Sequence, residues 1–202
     1  MPTQRERTEA SRRAIIDAAL RVIAQEGYGA LTTSRIEKVT GASRGLVGYH
    51  FGSKRGLTEA VIRDVQDSFV VYLVGLHQGE WQTGLDGVLG VIRSYLGQLG
   101  RDSRRSRVML ILSVESIASQ PSLREAVREL NAALRGTLRD QLLRGQDDGS
   151  VRQEIDATLE SVVLAGTLRG ITLQWLTDPE GVDLAAATEN AAAMAARAYA
   201  DH

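Results

Sequence analysis

Apolar residues recur three and four positions apart along most of the chain, with polar residues between them, which is the spacing of amphipathic helices. From Glu9 onward Ile15, Ala18, Ala19, Val22 and Ile23 keep this spacing, and Gly27 and Gly29 close the predicted helix. Residues 1–8 read as a polar tail whose Arg5 and Arg7 suit either DNA phosphates or plain solvent. Between residues 32 and 51 the pattern shortens to two small helices around a tight turn. Thr32, Thr33 and Ser34 offer capping hydroxyls to the first, Ser34 and Glu37 have capping-box spacing, and Ile36 and Val39 share its inner face. Gly41 can end it and Ser43 can cap the second. That second helix turns Leu46, Val47 and Phe51 inward, and Ser43, Arg44, Gly45, Gly48, Tyr49 and His50 outward.

Gly52 then breaks the chain, and Ser53 caps a long helix over 54–76 with a stripe of Leu57, Val61, Val65, Phe69, Tyr72 and Leu76. A further helix is predicted from Trp81 to about Leu99, then a basic Gly/Ser link over 100–107. A nearly all-apolar helix over 108–117 should lie deep in the body. Pro121 opens the next helix, with Leu123, Val127, Leu130, Leu134, Leu138 and Leu142 on one face, and a surface loop follows over 145–149. The last two helices, 155–176 and 184–199, are separated by the turn Thr177-Asp178-Pro179-Glu180-Gly181. The sum is an all-α chain of about nine helices.

Composition narrows the function more than the fold. With 202 residues the chain makes one or two domains, and with no cysteine it can hold neither disulfides nor thiolate metal sites. Its three histidines, His50, His77 and His202, lie far apart. No His-x-x-x-His pair, phosphate loop or nucleophile elbow is present, so the reading is not an enzyme and has no cofactor. No apolar run is long enough to span a membrane and the N-terminus lacks a signal core, so a cytoplasmic protein without a membrane partner is expected. Residues 1–63 hold 11 Lys+Arg against 6 Asp+Glu, whereas residues 64–202 hold 13 against 19. A basic head on an acidic body directs only the head toward a polyanion, and a short polar helix held by a tight turn fits the DNA major groove.

At these residues the chain resembles the TetR family of transcriptional regulators. The resemblance is carried by Thr32-Thr33, the Gly41-Ala42-Ser43 turn, Tyr49-His50-Phe51, and Ser53-Lys54-Arg55-Gly56-Leu57, with Glu26-Gly27-Tyr28 at the end of the preceding helix. It covers residues 9–69 and implies a three-helix DNA-binding head, with its helix-turn-helix at 32–51. The long helix would join this head to a regulatory, ligand-binding and dimerising body over 70–202.

By the same resemblance Thr33, Tyr49, His50 and Lys54 occupy positions that hold the DNA backbone. Arg44, whose fork matches guanine O6 and N7, is the candidate for a base contact, with a phosphate contact as the alternative. His50 could instead make a helix-end hydrogen bond, and Tyr49 could pack against the head. Gly48 departs from the family, which places a large side chain there. The family also implies a homodimer on a pseudo-palindromic operator, and a repressor released by a small molecule of unspecified chemistry. Candidate lining residues are Phe69, Tyr72, Trp81, Tyr95, Met109, Glu115, Arg169 and Trp175, each of which could equally be ordinary core or surface. Glu115 is singled out because a carboxylate inside an apolar helix would be costly if unpaired. Leu159, Val163, Gly166, Gly170, Leu173 and Met194 are candidates for the dimer interface, the alternative being an intrachain contact. The rival function is a helical sensor or interaction protein that has lost DNA binding.

Overall fold

The computed structural model describes residues 3–41, 45–76 and 81–201, and for residues 69–76 the backbone alone. The described residues form nine α-helices and no strand: α1 (Gln4–Glu26), α2 (Thr33–Thr40), α3 (Leu46–Phe51), α4 (Lys54–Leu76), α5 (Gly84–Arg101), α6 (Ser103–Ala118), α7 (Arg124–Asp148), α8 (Ala157–Thr177) and α9 (Leu184–Tyr199). None is long and apolar enough to cross a membrane.

Local hydrogen bonding moves several predicted boundaries. The helix expected from Glu9 begins at Gln4, because Thr3 and Glu6 make a reciprocal capping box that draws most of the expected tail into α1. The cap of α2 is Thr32, whose Oγ1 accepts from Arg35 N at 3.2 Å, and not the Ser34–Glu37 pair; Ser34 Oγ instead lies 3.2 Å from Thr32 Oγ1. The helix expected to open at Trp81 starts at Gly84, where Thr83 and Asp86 form a second capping box. The basic link over 100–107 shrinks to Asp102, with helix on both sides. The loop expected at 145–149 is the last turn of α7, which ends only where Gly149 takes φ 77°. Gly145 is helical there, and it has to be glycine because Val151 packs against it with no room for a Cβ. Asp156 and Asp183 cap α8 and α9, close to the predicted starts.

The chain divides into two compact units: Met1–Asp67 with Arg104–Val127, and Ser68–Ser103 with Arg128–His202. The first unit buries Ile15, Leu20 and Ile23 of α1, Leu31, Ile36 of α2 and Leu57 of α4. α6 adds Val108 and Leu112, and Arg105 of α6 donates through Nε to Asp64 of α4 at 3.0 Å, an ion pair with both side chains largely buried. The helix over 108–117 is therefore not apolar core all round. Its Val114 and Ile117 are 64% and 76% exposed, because only one face of α6 meets the core.

The second unit has its own core. Val88, Val91, Ile92 and Leu96 of α5 pack with Leu134, Leu138 and Leu142 of α7, Leu164 and Leu168 of α8, and Ala191, Ala192 and Ala195 of α9. The alanines of α9 have a packing reason, since small side chains admit a close helix neighbour. Arg93 and Glu189 tie α5 to α9 at the surface with a two-pronged ion pair, and the Tyr199 hydroxyl donates to Glu160 at 2.7 Å.

Candidate nucleic-acid interface

α2 and α3 are joined by a turn that glycine makes possible. Gly41 closes α2 at φ 69° and Gly45 leads into α3 at φ 98°, values a side chain with a Cβ rarely adopts. The Gly45 N–H donates to Glu37 Oε1 at 3.4 Å, so the end of α2 ties directly to the start of α3. Ser43 and Arg44 lie outside the described residues. α3 is only six residues long, too short to persist alone, and depends on what lies behind it.

Five contacts hold α3 and the elements around it. Val47 is buried. His50 Nε2 is 3.3 Å from Ser11 Oγ on α1, and the Arg12 guanidinium sits over the Phe51 ring at 5.5 Å. Lys54, at the first residue of α4, donates to the Tyr28 carbonyl at 3.2 Å and holds its ammonium 4.2 Å from the centre of the Tyr28 ring. Arg35 of α2 grips Glu26 at the end of α1 through Nε at 3.0 Å and a terminal nitrogen at 2.7 Å. Arg35 holds the Glu26 carboxyl below its ordinary range, mainly by hydrogen bonding. The contacts made by Ser11, Arg12, Glu26 and Tyr28 are not legible in the sequence because their partners lie up to 39 residues away.

The opposite face of α3 is open. Gly45 and Gly48 are exposed, a Cβ added at Gly48 would touch nothing within 4 Å, and Tyr49 is 78% exposed with its ring edge-on to His50 at 5.2 Å. Thr33 is exposed at the first turn of α2. The structure thus separates the expected contacts into two sets. Thr33, Gly45, Gly48 and Tyr49 stand clear. His50 and Lys54 already have partners within the head, which holds α3 against α1 and α4.

The expected pocket residues scatter. Phe69 and Tyr72 lie outside the described side chains. Met109 is buried in the first unit. Glu115, in the same unit, is half-exposed and accepts from Ser119 Oγ, so it is not the costly unpaired carboxylate its apolar helix suggested. In the second unit Trp81 lies across Gly90 of α5, where no Cβ would fit, and Tyr95 packs against the core. The Tyr95 hydroxyl faces Arg169 and Thr172; burial raises its pKa, partly offset by those two neighbours. Trp175 is half-buried near the end of α8.

The expected dimer residues stand on one chain's surface. Leu159, Val163 and Leu173 of α8 and Met194 of α9 are each between 56% and 63% exposed, and nothing lies within 4 Å of a Cβ added at Gly166 or Gly170; Val162, which was not among those expected, is 52% exposed beside them.

Comparison with known proteins covers both halves. Residues 15–61 match the model for bacterial regulatory proteins of the tetR family, and residues 85–200 match that for the C-terminal part of BetI-type transcriptional repressors. The transcriptional regulator TtgR of Pseudomonas putida is 26% identical over 190 residues, 89% of this chain and 87% of its own. A transcriptional regulator from Saccharomonospora viridis, solved with choline, superposes with a TM-score of 0.82 at 21% identity, over 96% of this chain and all of that one. The regulator FadR of Bacillus subtilis, solved with stearoyl-CoA, gives 0.80 at 23% identity over 91% and 97%. Taken with the exposed α3 and its glycine-built turn, these matches place the chain in the tetR family as a DNA-binding transcriptional regulator whose C-terminal half is of the BetI repressor type.

Proposed function

We propose that the protein is a homodimeric repressor that holds a pseudo-palindromic operator through paired α3 helices and leaves it when a small molecule binds the body. The observation that carries the reading is the asymmetry of α3. Its inner side is fastened by Val47, His50 and Phe51, while its outer side offers Tyr49 and two glycines with nothing covering them. A helix held this way can enter a major groove without losing its support. Tyr49 and Thr33 would donate to phosphates, Arg44 would read a base edge, and Ser43 and Gly45 would bring the turn against the backbone. Gly48 lets the main chain approach the groove where a larger side chain would hold it off. His50 and Lys54 act as supports, although an ammonium carries three N–H groups, and beyond the one given to the Tyr28 carbonyl Lys54 remains able to meet a phosphate.

One six-residue helix buries too little to be selective, and two heads about 34–36 Å apart read one face of the duplex. The uncovered apolar residues of α8 and α9 supply a surface for that pairing. The neighbours solved with choline and stearoyl-CoA support an effector-binding body, and release follows if the effector prefers the arrangement whose heads misfit adjacent grooves. The test is binding to the chain's own upstream DNA and to scrambled DNA of equal length across a salt series. A preference for the upstream fragment that disappears with Arg44→Ala supports the reading. Absence of binding even at low salt refutes it and favours a sensor that no longer binds DNA.

A further inference from the structure

Helix α1 starts well before its buried part. The first buried residue is Ile15, so residues 4–14 run ahead of the packed core for about 16 Å of helix at about 1.5 Å per residue. Three turns without burial would not persist alone. Here they continue a buried helix and are closed at the start. The Glu6 N–H donates to Thr3 Oγ1 at 3.2 Å, the Thr3 N–H donates to Glu6 Oε2 at 2.6 Å, and Thr8 Oγ1 donates to the Gln4 carbonyl at 2.9 Å. The inner stripe of the buried part, Ile16, Ala19 and Ile23, continues backward at helical spacing through Arg12 and Arg5. Contacts fix which way this stripe looks. Arg12 lies over the Phe51 ring at 5.5 Å and Ser11 Oγ is 3.3 Å from His50 Nε2, so it looks toward the end of α3. Arg5 stands on the same side two turns further out, about 10 Å along the axis from Arg12, whereas Arg7 is rotated about 200° from Arg5 to the far side. Arg5 is exposed, and among the described residues no carboxylate stands within ion-pair distance of it: Glu6 is engaged in the cap and Glu9 pairs with no arginine.

A major groove admits one helix, so when α3 occupies it α1 has to stay outside, along the strand that borders the groove. One strand carries a phosphate about every 3.4 Å of duplex axis, and the distance from Arg12 to Arg5 spans about three of them. We infer that Arg5 binds a DNA phosphate flanking the groove that α3 enters, and that Thr3 and Glu6 are positioning residues which hold it there. A free tail would have to be ordered on the DNA before its arginine could contribute, and the capped helix carries that order beforehand. Arg7 takes no part, because the same helix turns it away. This rests on the reading of α3 as the helix that enters the groove.

The test follows binding of the full chain to labelled upstream and scrambled duplexes by fluorescence anisotropy, from about 50 to about 200 mM salt. Each phosphate contact contributes about 0.9 to the slope of log K against log salt. Arg5→Gln should therefore reduce the slope by about 0.9 per head, equally on both duplexes, and leave the preference for the upstream fragment unchanged. Arg7→Gln removes the same charge from the other side of α1 and should keep the wild-type slope. Trimming the duplex until the flanking phosphates are gone should make Arg5→Gln and the wild type alike. Thr3→Ala should reproduce part of the loss and Thr3→Ser should not. In the Arg5→Gln background Thr3→Ala should add nothing, a result that general damage to the fold would not give. An unchanged slope for Arg5→Gln, an equal drop for Arg7→Gln, or a loss confined to the upstream duplex overturns the assignment, the last by making Arg5 a base contact. A wild type that binds neither duplex at low salt sinks the reading of α3 itself.

Discussion

Val163→Glu offers a sharp test of the pairing surface on α8. In a single chain Val163 is 57% exposed, one turn from Gly166, where an added Cβ meets nothing within 4 Å. As a monomer the variant should lose almost nothing, because a glutamate there is solvated and suits a helix. In a two-fold dimer the residue is buried twice. Complete burial of a valine is worth about 1.5–3 kcal/mol, so covering its remaining half contributes about 1 kcal/mol per protomer. Each buried carboxylate without a partner adds about 1–3 kcal/mol or more of penalty. The dimer should therefore weaken by about 4–8 kcal/mol, and each 1.4 kcal/mol is tenfold in Kd. Sedimentation velocity over a range of concentrations reads this directly, with circular dichroism confirming that the helices persist. The upstream DNA should lose its preference in parallel, since one head alone is not selective. A variant that sediments as the wild type does, with an unchanged Kd, would refute the pairing surface; so would a wild type that is monomeric at all concentrations.

Two further outcomes test the fold and its electrostatics. Gly84→Ala should destabilise the second unit by about 1–3 kcal/mol, because its Cβ would collide with the backbone of Gly145 and the Gln141 carbonyl of α7. Gly136→Ala, in mid-α7 with open space around it, should stabilise by about 0.5–1 kcal/mol, and thermal melting of the pair refutes the packing if both move the same way. Glu26→Gln should flatten the acid side of the stability profile. The folded carboxyl titrates below its ordinary 4.5 because of Arg35, so its contribution is complete above that value and disappears as pH falls through the lowered one. Denaturant midpoints from pH 6 to 3 should therefore fall further for the wild type than for the variant, and parallel profiles would contradict the Glu26–Arg35 grip.

Much of this protein is local in origin and so is written in the chain. The 3.6-residue spacing of Leu134, Leu138 and Leu142, or of Leu57, Val61 and Val65, requires a helix with one buried face whatever it meets. Gly41 and Gly52 mark turns because few other residues tolerate their φ. Boundaries were less legible where two signals compete. Gly145 reads as a loop residue, yet it lies inside α7, and it is glycine because Val151 packs where its Cβ would be. Thr3 with Glu6 outweighs a polar composition that suggests a tail.

Partners were the part that only the tertiary structure decided. His50 and Lys54 carry the same family signature as Tyr49, but Ser11 and Tyr28, brought close from α1 and the turn after it, engage the first two, while Tyr49 stands free. Glu115, an acid in an apolar helix, is half-exposed and accepts from Ser119, a setting its own stretch of sequence does not disclose. A side chain's hydrogen-bonding capacity follows from its type, but its free energy depends on which groups long-range folding places beside it and on how much water it loses there. Those two quantities are set by contacts tens of residues apart, beyond the reach of periodicity or motif.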